Sequence, residues 1–247
     1  MANQKLKRAP LQEVVFEVRW ELPLDHSGNA FDPGFDKAYG LFAKAIQEDF
    51  PILKDLFPPN PTPPSPYTPL YQFWKAELVW PVIQIGRGVL TVADVEDSYI
   101  WDDYRSVIDK VLECWLNSYQ LALSITSLRL QYIDAVDVED GVISSLDYVA
   151  QNFQLELVNR FTLPGKPSGL FIGQVFDLPG GDVLHMQVQT ARNNQTNKNA
   201  LLWITDVERK TKAEKDFLLP WLDQAHTHTS NFFKNISTSE FYASFDQ

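Results

Sequence analysis

From Glu13 to Leu22 the chain alternates: Phe16, Val18, Trp20 and Leu22 are all apolar, while Glu17, Arg19 and Glu21 separate them. Period-two alternation of this kind predicts a strand with one buried face. After a loop holding Gly28, Pro33 and Gly34, the period changes. Phe35, Tyr39, Phe42, Ala43, Ile46 and Phe50 recur at helical spacing, predicting an amphipathic helix that stops before Pro51. Residues 58–69 are dominated by proline, which has no amide donor and a fixed φ, so they predict an extended polyproline connector. Two strands are expected next, Phe73–Trp80 and Val82–Asp94, the second folded into a hairpin at Gly86-Arg87-Gly88. A long helix then runs from Trp101 to Tyr119, with Tyr104, Ile108, Val111, Leu112 and Trp115 on one face. Asp102 and Asp103 suit its positive end, and Asp97 or Ser98 is the expected cap.

The later part of the chain repeats this order. Ser127–Val138 alternates as a strand, and a helix capped by Ser144 or Ser145 is expected to run to about Leu157. Strands Leu170–Leu178 and Val183–Ala191 flank the turn Pro179-Gly-Gly-Asp182, and a third strand spans Ala200–Val207. A helix from Pro220 to Ile236 follows, then an aromatic tail of Phe241, Tyr242 and Phe245. Both halves contain a strand ending in Asp-Val-Glu, at 94–96 and 206–208, with a Trp opening the next helix, Trp101 and Trp221. Repetition on this scale predicts duplication. The expected fold is therefore α+β: mostly antiparallel sheets with helices packed on one face, in two related halves, 1–122 and 123–247.

Composition narrows the function classes. At 247 residues and 45% hydrophobic content the chain can bury a substantial core. Its formal net charge of −11 disfavours direct nucleic-acid binding, which needs concentrated Lys and Arg; the small cluster Lys5, Lys7 and Arg8 reads as a solubilising tail. An acidic surface suits a basic protein partner, or simply solubility. The single cysteine, Cys114, falls in an apolar helical pattern and reads as a core residue. The first ten residues lack the apolar stretch of a secretory leader and no segment is long enough to span a bilayer, so the expected location is cytoplasmic.

Six stretches carry a resemblance. Ala9-Pro-Leu-Gln-Glu-Val-Val-Phe-Glu-Val-Arg-Trp20 is similar to the opening of a sporadically distributed prokaryotic family of uncharacterised function. Ile85–Val92, Tyr99–Arg105 and Leu128–Asp134 resemble its middle, and Trp221–His226 with Phe232–Ile236 its end. The resemblance implies a prokaryotic origin and one architecture, with no active-site residues to carry over. A patchy distribution is common among mobile and defence-linked genes, an analogy rather than a mechanism.

The expected catalytic fingerprints are missing. No Gly-rich phosphate loop or Gly-x-Ser-x-Gly elbow occurs, and Gly86-Arg-Gly88 joins strands rather than strand and helix. His226 and His228 stand two apart on a helix, the wrong spacing for paired metal ligands. No metal and no cofactor is expected. Asp94, Glu96, Asp97, Asp102 and Asp103 crowd one strand-to-helix junction, and dipole and solvation roles account for them. The candidate binding residues are Trp101, Arg129, Tyr132, Trp221 and His226: a strand Arg suits an anion, and helix-opening Trp residues suit either a groove or the core.

Three functions remain. The first is a non-enzymatic protein-interaction or regulatory module working with another protein, encoded nearby, in a defence or toxin-linked setting. The second is a small-ligand sensor with an aromatic-lined cleft. The third is an enzyme with a dispersed acid–base site using Asp94, Glu96, Arg129 and His226. A homo-oligomer is compatible with each; a membrane partner with none.

Overall fold

A computed structural model describes residues 6–56, 65–95, 99–119, 121–138, 144–156, 160, 165, 169–210 and 212–246. The strands are β1 (Leu11–Trp20), β2 (Ile52–Asp55), β3 (Pro69–Trp74), β4 (Val82–Gly86), β5 (Val89–Val95), β6 (Ile125–Val138), β7 (Phe171–Asp177), β8 (Val183–Arg192) and β9 (Asn199–Arg209). The helices are α1 (Phe35–Ile46), α2 (Trp101–Ser118), α3 (Ser145–Asn152), α4 (Leu218–Ile236) and α5 (Ser239–Ser244). The class is α+β, with one open antiparallel sheet in the order β2-β3-β4-β5-β1-β6-β9-β8-β7. Leaving β2 aside, β3-β4-β5-β1 is answered by β7-β8-β9-β6, so the order mirrors about the β1–β6 pair.

Contacts gather the chain into two compact units. The first comprises Met1–Glu13, Gln131–Val207 and Asp223–Gln247, and the second Val14–Leu130 and Glu208–Leu222. In the first unit Trp203 of β9 is the centre of an aromatic core, with Phe153 at 5.3 Å, and Phe233 and Phe241 each at 6.1 Å between ring centroids. The expected aromatic tail is in fact a helix, α5, capped by Thr238, whose hydroxyl accepts from the Phe241 amide. Ser144 caps α3 as expected, accepting from the Asp147 amide.

In the second unit α1 and α2 meet over the strands. Trp115 lies 5.4 Å from both Trp20 and Phe42, and Phe42 stands edge-on to Phe73. Behind them Tyr104 ties two strands together: its hydroxyl accepts from the Phe16 amide of β1 and donates to the Val92 carbonyl of β5. Both backbone groups are buried, so Tyr104→Phe is expected to cost about 2–4 kcal/mol by leaving them unpaired. A urea-midpoint comparison measures this; a loss below about 0.5 kcal/mol would mean that water replaces the hydroxyl.

The loop before α1 is held by a second buried centre. One carboxylate oxygen of Asp32 accepts from the Tyr119 hydroxyl and the Gly34 amide, the other from Trp20 Nε1 at 3.0 Å and the Gly88 amide at 3.3 Å. Burial raises the Asp32 carboxyl above its usual range, against the hydrogen bonds from Trp20, Gly88 and Gly34 and the positive charge of Arg87, which lower it. Gly88 turns the β4–β5 hairpin at φ +81°, a region costly for any other residue. Gly86 allows a close approach: a Cβ there would lie 2.0 Å from the Thr68 carbonyl oxygen.

Several expectations need correction. The strand expected at Phe73–Trp80 runs instead over Pro69–Trp74. Trp74 is opposite Val82 in the antiparallel ladder, so 75–81 must reverse the chain and cannot extend the strand. β2 was not expected at all, because four residues after a proline carry no readable alternation. Of the Pro-rich segment, 58–64 lies outside the described residues, and Tyr67 sits at φ +60°, so 65–69 turns into β3 rather than continuing as polyproline. Asp97 and Ser98 lie outside the described residues; the α2 cap position is Ile100, which supplies no side-chain bond. α3 ends at Asn152, short of the expected Leu157, which also lies outside them.

Candidate functional site

β6 carries its chemistry in phase with its core residues. Leu128 and Leu130 are fully buried, and alternation puts Tyr132 and Asp134 on the same face. In the first unit this places Tyr132 against α4: its hydroxyl lies 2.8 Å from His226 Nδ1, with ring centroids 6.1 Å apart. His226 is only 9% exposed. Burial lowers its pKa to about 4, outweighing the smaller raising effect of Asp223, so the imidazole is uncharged at neutral pH. A neutral imidazole can accept from the phenol or donate to it, depending on the tautomer.

Asp134 stands two residues further along the strand, roughly 6.5–7 Å on at the usual rise per residue. It too is 9% exposed, and burial pushes its carboxyl to about 7, with no hydrogen bond or neighbouring charge among the described residues to offset this. At neutral pH a phenol on this strand face therefore meets a neutral imidazole on α4, with a carboxyl near its titration midpoint two residues further along the strand. Tyr132 and His226, in direct hydrogen-bond contact, can exchange a proton.

The structure thus brings Tyr132 and His226 together across 94 positions of sequence. Trp101, Arg129 and Trp221 belong to the second unit, where Trp221 is wholly buried and Trp101 and Arg129 are half-buried. Sequence reasoning missed Asp134, although its phase with Leu128 and Leu130 was a usable signal. The solvation role expected for Asp94 is corrected: it is buried, its carboxylate accepting from the Val95 amide at 2.8 Å, and Asp206 is buried likewise. A strand flanked by covered faces leaves no room for a solvated carboxylate at those places. Glu96 and Asp97 lie outside the described residues, while Asp102 and Asp103 are exposed in the first turn of α2. His228 is half-buried on α4, its Nε2 3.4 Å from Gln224 Nε2. Among the described residues no group of three or more His, Cys, Asp or Glu is placed to hold a metal ion, and no helix is long and apolar enough to cross a membrane.

A second feature is the edge strand β7. It pairs with β8 over all seven residues without a bulge, Phe171 opposite Gln189 through Asp177 opposite Val183. Just beyond each end, the Thr190 amide donates to the Leu170 carbonyl and the Leu178 amide to the Asp182 carbonyl. Hydrogen-bonded pairs recur every second residue, so the even-numbered residues bond to β8 and the amides and carbonyls of Phe171, Gly173, Val175 and Asp177 point outward. Phe176 faces α4, 5.7 Å from Phe232 between ring centroids. Phe171 and Val175 therefore lie on the opposite face, 67% and 63% exposed.

The other edge is different. β2 has only four residues, follows Pro51, and carries Lys54 and Asp55, with Lys54 also bridged to Glu77. Short length, proline and charge all discourage a further strand from pairing there. β7 has none of these devices except its terminal Asp177. Set beside known proteins, the chain matches no family model and no curated protein, so its functional reading rests on its own residues.

Proposed function

We propose that this chain is a protein-interaction module whose docking element is the open edge of β7. The observation that carries the reading is the contrast between the two sheet edges. One is short and charged; the other presents four backbone positions that have no strand partner among the described residues, beside exposed Phe171 and Val175. An extended strand added there would gain main-chain hydrogen bonds, with Phe171 and Val175 supplying selectivity.

A photo-reactive amino acid at Val175, introduced in the living host, is expected to give discrete protein adducts. The same group at Thr196, in an exposed loop, is the comparison. Adducts no stronger at 175 than at 196 would end the reading. Val175→Lys should reduce the same association at least about tenfold, since it puts a charge on the pairing edge. Its folding stability should stay within about 0.5 kcal/mol of the parent, as expected for an exposed site.

A specific observation favours a second reading. The Tyr132–His226 bond with buried Asp134 supports acid–base chemistry or ligand sensing at the β6–α4 face. Loss of a ligand-induced chemical shift in Tyr132→Phe would be its first support. The mirrored strand order likewise supports a duplication of the two halves, again as our proposal.

A further inference from the structure

We infer that the Tyr132–His226 face of the first unit binds a small primary ammonium, with Asp134 as the carboxylate that pairs with it. The inference rests on the second reading above and names the ligand class of that site. Its support is a buried carboxyl without a partner, in surroundings whose only charge is negative.

All the residues concerned belong to the first unit. Tyr132 and Asp134 share one face of β6, and α4 brings His226 Nδ1 to 2.8 Å from the phenol. Asp134 is 9% exposed, and no hydrogen bond or charge among the described residues reaches its carboxyl. Buried carboxyls are ordinarily hydrogen-bonded, so one that is not points to a further group that completes it.

The chemistry of that group follows from what the face lacks. An ionised carboxylate only accepts, so its complement must donate hydrogen bonds, and a positive charge offsets the cost of ionising a buried group. Among the described residues no Lys or Arg bears on Asp134 or His226, and the one charge that bears on His226, Asp223, is negative. The neutral imidazole does not repel a cation, and the Tyr132 ring offers one an aromatic face. A divalent metal fits less well, because one carboxylate beside one imidazole falls short of the ligand set it takes. A quaternary ammonium has no N–H to give the carboxylate, whereas a primary ammonium has three. Tyr132 is half-buried while Asp134 and His226 are nearly covered, so the charged head lies inward and the alkyl chain towards Tyr132.

The test is an NMR titration of the full chain with propylammonium chloride, propanol and sodium propanoate at constant ionic strength. Propylammonium should shift the Tyr132 and His226 ring resonances saturably, and the Asp134 carboxyl carbon should move as that group ionises. Propanol and propanoate should bind at least about tenfold more weakly, and Asp134→Asn should weaken propylammonium by a similar factor. The carboxyl of Asp103, exposed on α2, reports general attraction of cations to an acidic chain and should not saturate. Equal affinity for propanol, unchanged affinity in Asp134→Asn, or an equal saturable shift at Asp103 overturns the ammonium assignment. Saturable binding of propanol or propanoate that Tyr132→Phe weakens would overturn it too, yet leave the second reading standing. No saturable shift at Tyr132 or His226 with any of the three probes removes the assignment and the ligand-sensing reading together.

Discussion

Asp134→Asn is expected to stabilise the chain at pH 8 by about 2–4 kcal/mol and to leave it nearly unchanged at pH 4. Most substitutions of buried residues do the reverse. The reason is the buried carboxyl, whose pKa rises from 3.8 to about 7 on folding. Between those values the folded state holds a proton that the unfolded state has lost, so wild-type stability from this group is full below 3.8 and is lost as pH rises towards 7. Asparagine keeps the shape and never ionises.

His226 acts in the opposite sense. Its pKa falls from 6.5 to about 4 on folding, so the unfolded state binds the extra proton in that window and stability is lost as pH falls through it. The loss reaches about 2–3 kcal/mol at pH 4. In the wild type the two slopes oppose each other between pH 4 and 6.5. Asp134→Asn should uncover the acid-side loss, and His226→Asn the alkaline-side loss. Urea midpoints taken in half-unit pH steps separate the three curves. Parallel curves for wild type and Asp134→Asn would show that the carboxyl is hydrated and the burial argument wrong.

The second large effect concerns Asp32. Asp32→Ala should cost about 3–5 kcal/mol, because Trp20 Nε1, the Tyr119 hydroxyl and the Gly88 and Gly34 amides lose their acceptor together. Tyr119→Phe removes one of those donors, so the double substitution should cost less than the sum of the singles by more than about 1 kcal/mol. Additive costs would mean that the two residues act separately. Hydrogen exchange should quicken first at Phe35, whose amide bonds to the Asp32 carbonyl.

Much of the fold was legible in local periodicity. Alternation at Phe16, Val18 and Trp20 found β1 because each strand residue faces either the core or away from it. Helical spacing found α2 from Trp101 onward for the same kind of reason. The Gly86-Arg-Gly88 and Pro179–Asp182 turns were readable because their backbone needs particular residues. β2 was not, since its pairing with β3 supplies what its own four residues lack.

The site was less legible. Tyr132 and His226 were each singled out on chemistry, yet nothing local could show that they meet. Asp134 escaped notice because its pKa depends on its burial, which the residues beside it do not reveal. Tyr104 looked like any apolar-face residue until its hydroxyl was seen between Phe16 and Val92.

The amino-acid pattern by itself determined the class, most element positions and the acidic, apolar-rich character of the chain. Those depend on neighbours a few residues away. Only the tertiary structure decided the strand order, and with it which strand is left at an open edge. It also decided that Asp134 lies buried with no hydrogen bond or charge among the described residues to offset the burial. Both are properties of long-range pairing: the exposure of Phe171 and Val175, or the pKa of Asp134, belongs to the company the folded chain keeps.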